Sequence, residues 1–198
     1  VPSFIFYLSG NVVWNYFNHC LTTTSGTFIT NASILGKVYF PRLVMPVSTV
    51  LSKLIDFAIQ YSFFLVFLVL YALTGSAIRP NWLILLTPVL LLQLAMLSLG
   101  CGVIISAATT KYRDLRMLVS FGVQLWMYAS PVAYDMFSMS AFAPGGKYYA
   151  LYMLNPVTPI VNLFRYAYLG IGQVDWQSYG ISWVVTCCLL FVGIVLFS

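Results

Sequence analysis

The chain has no glutamate, only four aspartates, and long stretches with no charge of either sign. No Asp, Glu, Lys or Arg occurs in residues 1–36, 57–78, 80–110, 117–134 or 176–198. A helix crossing a bilayer core needs about 20 mostly apolar residues at 1.5 Å rise each, and every one of these gaps meets or nearly meets that length. Charged residues make up 7% of the sequence and apolar ones 61%, whereas soluble domains carry roughly 25% charged residues to solvate their surface. This composition excludes a soluble globular domain and predicts an all-α, polytopic integral membrane protein.

Further absences narrow the function. There is no GxxxxGK[ST] phosphate loop, so the chain does not by itself cradle ATP. There is no HExxH or DxD, the single histidine His19 has no metal-ligand partner nearby, and the aspartates are dispersed. That pattern disfavours a metal site, a membrane protease and a membrane glycosyltransferase. Cys20, Cys101, Cys187 and Cys188 all fall in apolar segments without a CxxC pair, which reads as inert buried thiols. The net charge of +5 is scattered in twos and threes along the chain, so it reads as topology information under the positive-inside rule and not as a nucleic-acid footprint. The sequence opens at Val1 without a basic n-region and cleavage site, and the expectation is a true N-terminus further upstream.

What is present divides into five spans: 4–30, 54–73, 82–109, 117–134 and 178–198. Lys53 and Asp56, at i,i+3, are placed to pair at the start of the second span. Pro88 predicts a kink in the third, where Gly100 and Gly102 allow close packing. Residues 132–174 are too apolar for a free loop, yet Pro144, Gly145, Gly146, Pro156 and Pro159 interrupt them. Two short helices lying in or dipping into the interface are expected there, with Arg165 as the one cation amid the apolar stretch Ile160 to Leu169. Two basic islands, Lys37 to Lys53 and Lys111 to Arg116, hold six of the nine cations. Placing both in the cytoplasm puts Val1, Arg79 and residues 132–177 outside. No repeat or linker divides the chain, which reads as one membrane domain over residues 1–198.

The run Lys37-Val38-Tyr39-Phe40-Pro41-Arg42 alternates cations, aromatics and proline. It suits a short helix on the cytoplasmic face, with Tyr39 and Phe40 filling a partner's groove; it equally suits an ordinary interfacial anchor. Together with Tyr7-Leu-Ser-Gly10, Trp14, Phe17, Asn31, Pro46, Tyr112-Arg113-Asp114, Ser130-Pro131-Val132, Tyr134, Asn155-Pro156 and Arg165, the run closely resembles the ABC-2 type permeases. The closest branch is the bacterial exporters of O-antigen, capsule and teichoic acid. The resemblance spans nearly the whole chain and implies that the family's N-terminal amphipathic helix and first of six spans are missing.

The resemblance implies a permease subunit in the bacterial inner membrane that moves polysaccharide or lipid-linked glycan. Its partners would be a second permease copy, membrane lipid, and an ATP-binding cassette subunit holding ATP and Mg, with no cofactor on this chain. Lys37 to Arg42 would touch that subunit, with Tyr112, Arg113 and Asp114 on the same face; a plain positive-inside anchor is the alternative for this second loop. Pro131, Tyr134, Asn155, Pro156 and Arg165 would belong to an external gate, or to a partly buried external cap. Trp14, Tyr16, Phe17, Trp126 and Tyr128 are candidates for the translocation path, because aromatic faces stack on sugars. The competing reading is a channel or secondary transporter without an ATPase.

Overall fold

A computed structural model describes residues 2–30, 44–75, 79–111, 114–134 and 149–197. Helix α1 is Ser3–Thr30, α2 Val44–Leu73, α3 Thr87–Lys111, α4 Leu115–Ala129, α5 Tyr149–Met153, α6 Val157–Leu169 and α7 Trp176–Phe197, with a 3-10 turn Trp82–Leu86 leading into α3. No strand occurs among the described residues. The stretches Val44–Leu73, Trp82–Thr109 and Trp176–Leu196 are long and apolar enough to cross a membrane. Helix α1 adds 28 residues without a charge, whereas α4 has 15 and so reaches only about 22 Å.

The helix boundaries depart from the sequence expectation at three prolines. Helix α2 begins ten residues early because Pro46 falls in its first turn, where a missing N–H removes no intrahelical bond. Its 30 residues make a rod of about 45 Å, and the Lys53–Asp56 pair forms within it at 2.8 Å. Pro88 is the second residue of α3, so it starts that helix after the 3-10 turn and does not kink its middle. Helix α4 stops at Ala129, ahead of Pro131, with Ser130 extended as its C-cap.

Helices α1, α3 and α7 form the spine: α3 packs on α1 on one side and on α7 on the other, and α2 flanks α1. Buried on it are Trp14, Phe17, Leu21, Phe64, Leu94 and Leu97. Small residues allow the crossings. A Cβ on Gly100 would lie 2.7 Å from the Leu190 nitrogen, one on Gly193 3.1 Å from the Gly100 oxygen, and one on Gly102 2.7 Å from the Thr24 side chain. Several hydroxyls along α1 bond back to the helix, as Ser9 to the Phe6 carbonyl at 2.7 Å and Thr23 to that of His19 at 2.6 Å, which satisfies them without water.

Gly100→Ala is expected to cost about 1–3 kcal/mol by forcing α3 and α7 apart, whereas Gly122→Ala, whose Cβ would meet nothing within 4 Å, should stay within about 0.5 kcal/mol of wild type. Thermal unfolding of the purified protein in detergent compares the two; equal melting would sink the close-crossing argument.

Candidate functional site

Helices α5 and α6 form a helical hairpin inserted into one end of the bundle. At its base the Tyr149 hydroxyl donates to the Asp175 carboxylate at 3.0 Å. Asp175 also accepts from the Ser178 hydroxyl at 2.6 Å and from the Gln177 N–H at 3.0 Å, capping the start of α7. The Ser178 hydroxyl, aided by Tyr149 and by backbone N–H groups, holds the Asp175 carboxyl below the usual carboxylate range.

The tip is Asn155-Pro156. The Pro156 carbonyl accepts from Ser182 Oγ at 2.6 Å, and Ser182 Oγ accepts from Gln93 Nε2 at 2.9 Å. Ser182 lies six residues into α7, so the tip reaches about 9 Å below that helix's start. From there α6 rises until the Asn81 N–H meets the Ala167 carbonyl at 2.8 Å. Gly170 then ends it in the left-handed region at φ 69°, where a Cβ would lie 2.9 Å from the Arg79 carbonyl oxygen. The expected pair of short helices is therefore present, and it dips into the bundle. All of α6 except Asn162 and Tyr166 is buried.

The structure gathers Pro131, Tyr134, Asn155, Pro156 and Arg165 around this hairpin. Asn155 Oδ1 accepts from Trp126 Nε1 at 3.1 Å and from the Val157 N–H at 3.2 Å, while its Nδ2 donates to Ser130 Oγ at 2.8 Å. One side chain thus starts α6 and ties it to the end of α4. Arg165 is 3% exposed. Its guanidinium donates to the carbonyls of Pro131 and Val132, and at 3.5 Å to that of Tyr134. Its carbon sits 3.9 Å from the centre of the Phe6 ring, a cation–π contact. Asp175, in the same segment, serves the start of α7, and Asp135 lies outside the described residues. Gly10 makes room for the clamp: a Cβ there would be 2.5 Å from Arg165 Nη2 and 2.5 Å from the Val132 oxygen. A second lock joins three helices, as the Tyr168 hydroxyl lies 2.5 Å from that of Tyr61 and 2.7 Å from Thr87 Oγ1. Beside the tip, Trp126, Ala129, Tyr152, Asn155 and Pro156 border an open, largely apolar cleft of about 350 Å³.

The proposed path residues fall differently. Trp14, Tyr16 and Phe17 are 1%, 3% and 0% exposed and pack inside the bundle. Trp14 and Phe17 meet Trp126 edge-on at 6.4 and 5.2 Å, and Tyr16 meets Phe57 at 5.4 Å. Of the five, Trp126 is half-buried and Tyr128 is exposed. Besides Phe4 and His19, α1 leaves uncovered a polar stripe: Tyr7, Asn11, Asn15, Asn18 and Thr22 are all half-buried or exposed. Successive steps of four, four, three and four residues keep them within about 80° of arc. That spacing was readable from the sequence by helical periodicity, although a search for aromatics passes over it. Lys37, Val38, Tyr39, Phe40, Pro41, Arg42, Tyr112 and Arg113 lie outside the described residues. Asp114 is exposed at the start of α4 and makes no side-chain cap bond.

Arg165→Lys should leave one of the Pro131 and Val132 carbonyls unpaired and cost about 1–3 kcal/mol. Gly10→Ala should act in the same direction by displacing the guanidinium. Both are read as a lowered melting temperature in detergent, and two variants that melt with wild type would remove the clamp as a structural element.

Comparison with known proteins follows the same lines. The family model for the ABC-2 type transporter matches residues 3–169. The chain is 27% identical, over 199 residues, to the O-antigen export system permease protein RfbA of Klebsiella pneumoniae, covering 100% of this chain and 73% of that protein. A permease of the same name from Myxococcus xanthus is 26% identical over 166 residues, covering 83% of this chain and 61% of its own length.

Proposed function

The chain belongs to the ABC-2 type transporter family, and from that premise we propose that it is the membrane subunit of an ATP-driven exporter of polysaccharide or lipid-linked glycan in a bacterial inner membrane. The observation that carries this reading is the hairpin. A pair of short helices seated in one end of a spanning bundle, held by side-chain bonds from Asn155 and Arg165, is a plug whose latches can be exchanged. The relatives named as O-antigen export permeases support glycan as the cargo.

In this reading the chain hydrolyses nothing itself. ATP and Mg are held by a separate cassette subunit, whose closure pushes on Lys37 to Arg42 and on the Tyr112-Arg113-Asp114 loop of two permease copies. The spans rock, and the hairpin with Pro131 and Tyr134 moves as the gate. The partner's unequal contact with the two membrane states supplies the work. The hairpin end faces outside and the two basic islands face the cytoplasm.

Tyr39→Ala and Phe40→Ala are expected to uncouple ATP hydrolysis from glycan export while insertion stays normal, because they remove a docking knob and no topology signal. Lys37→Ala should have a smaller, salt-sensitive effect, as for an exposed ion pair of about 0–1 kcal/mol. The native complex should co-purify with a P-loop subunit. Its absence, with transport intact, would favour a channel or secondary transporter.

Orientation is checked separately. In a background lacking the native cysteines, an impermeant thiol reagent added outside whole cells should reach Gln173→Cys and not Asp114→Cys, both at exposed positions. The opposite pattern would invert the topology.

A further inference from the structure

The α1 stripe is anomalous for a surface turned to lipid. Asn15 and Asn18 flank the midpoint of a 28-residue helix, the depth at which a polar group is farthest from water. Asn15 Nδ2 donates to Gln60 Oε1 on α2 at 3.1 Å. Among the described residues, neither the Asn11 nor the Asn18 carboxamide has a hydrogen-bonding partner. Moving one unpaired amide from water into hydrocarbon costs roughly 4–8 kcal/mol, too much to be repeated along one helix against acyl chains. The exposed faces of α2 and α7 present Ile55, Ile59, Val66, Val184 and Phe191 instead, which is what lipid requires. Two kinds of outward surface therefore coexist in this bundle.

We infer that the α1 stripe Tyr7, Asn11, Asn15, Asn18 and Thr22 faces a hydrated path and forms the hydrogen-bonding rail along which the polyhydroxylated chain slides. The glycan half of this inference rests on the exporter reading above. The chemistry suits such a ligand. A carboxamide both donates and accepts without charge, so it matches a hydroxyl whichever way the hydroxyl points. The stripe runs about 22 Å from Tyr7 to Thr22, long enough to meet successive sugars. Neutral, repeated contacts bind weakly at many places, which lets cargo enter and also leave. A buried cation–anion grip would hold it. The Tyr7 ring, 44% exposed, offers a stacking face at the hairpin end.

The test uses the full-length permease assembled with its partners, with Cys20, Cys101, Cys187 and Cys188 replaced. Asn11→Cys, Asn15→Cys and Asn18→Cys should react with a charged, impermeant methanethiosulfonate about tenfold or more faster than the lipid-facing controls Val66→Cys and Val184→Cys. Reaction no faster than the controls overturns the hydrated path and means that protein or lipid covers the stripe. In a second arm, Asn11→Leu with Asn18→Leu should cut glycan export about tenfold or more, while Asn11→Gln with Asn18→Gln retains most of it. Leucine favours both helix and insertion, so loss of export at normal membrane yield is not a folding defect. Undiminished export in the leucine pair overturns the rail and leaves the exporter reading standing. Wild-type complex that moves no glycan overturns that reading and the ligand together, and the labelling arm then reports the hydrated face alone.

Discussion

A cation buried at the end of a membrane bundle must find its compensation in the protein, and here the guanidinium of Arg165 finds it in backbone carbonyls. Helix α4 stops at Ala129, and the chain just beyond it turns the Pro131 and Val132 carbonyl oxygens toward this cation. The planar fork takes both through separate nitrogens, and the Phe6 ring covers its face. Each party meets the other's need. The geometry then constrains the rest: α1 must carry glycine at position 10, α6 must be buried nearly all round, and the end of α4 must bend toward the hairpin. Three helices far apart in sequence are joined by one side chain.

The same demand for internal partners runs through the interior. Tyr168 reaches Tyr61 and Thr87, Ser182 links Gln93 to the hairpin tip, and Asn155 joins Trp126 to Ser130. Such bonds gain little net energy, but they exclude alternative registers, because an unpaired group in a dry interior is costly. Glycines at the α3–α7 crossing complement this, since backbones that approach closely leave no room for a slipped arrangement.

The spans were legible because insertion is a demand on composition, and the charge gaps state it directly. The hairpin was legible too, from Asn155-Pro156 turn chemistry set in an apolar stretch. Helix starts were less so. Pro46 and Pro88 look like breakers until their place in a first turn is known, and that place is set by packing. Which partner Arg165 takes could not be decided, since backbone carbonyls carry no residue identity. The burial of the aromatics was hidden for a related reason: Trp14, Tyr16 and Phe17 have the right chemistry for sugars, but burial is decided by which side of α1 meets α2, α3 and α4. The asparagines on the uncovered side carried a periodic signal that composition alone hides.

Helix α2 is longer than the hydrocarbon it crosses. A rod of about 45 Å against a core of about 30 Å leaves some 15 Å to spare, and the Lys53–Asp56 pair sits where its charges can reach that far boundary. The surplus begins at Val44, within the first basic island, while the opposite half carries Tyr61, bonded to Tyr168 of the hairpin. An α-helix is stiff along its axis, so α2 is a single rod. A displacement of its protruding foot would reach Tyr61, about 26 Å along and bonded to the hairpin, without any intervening joint.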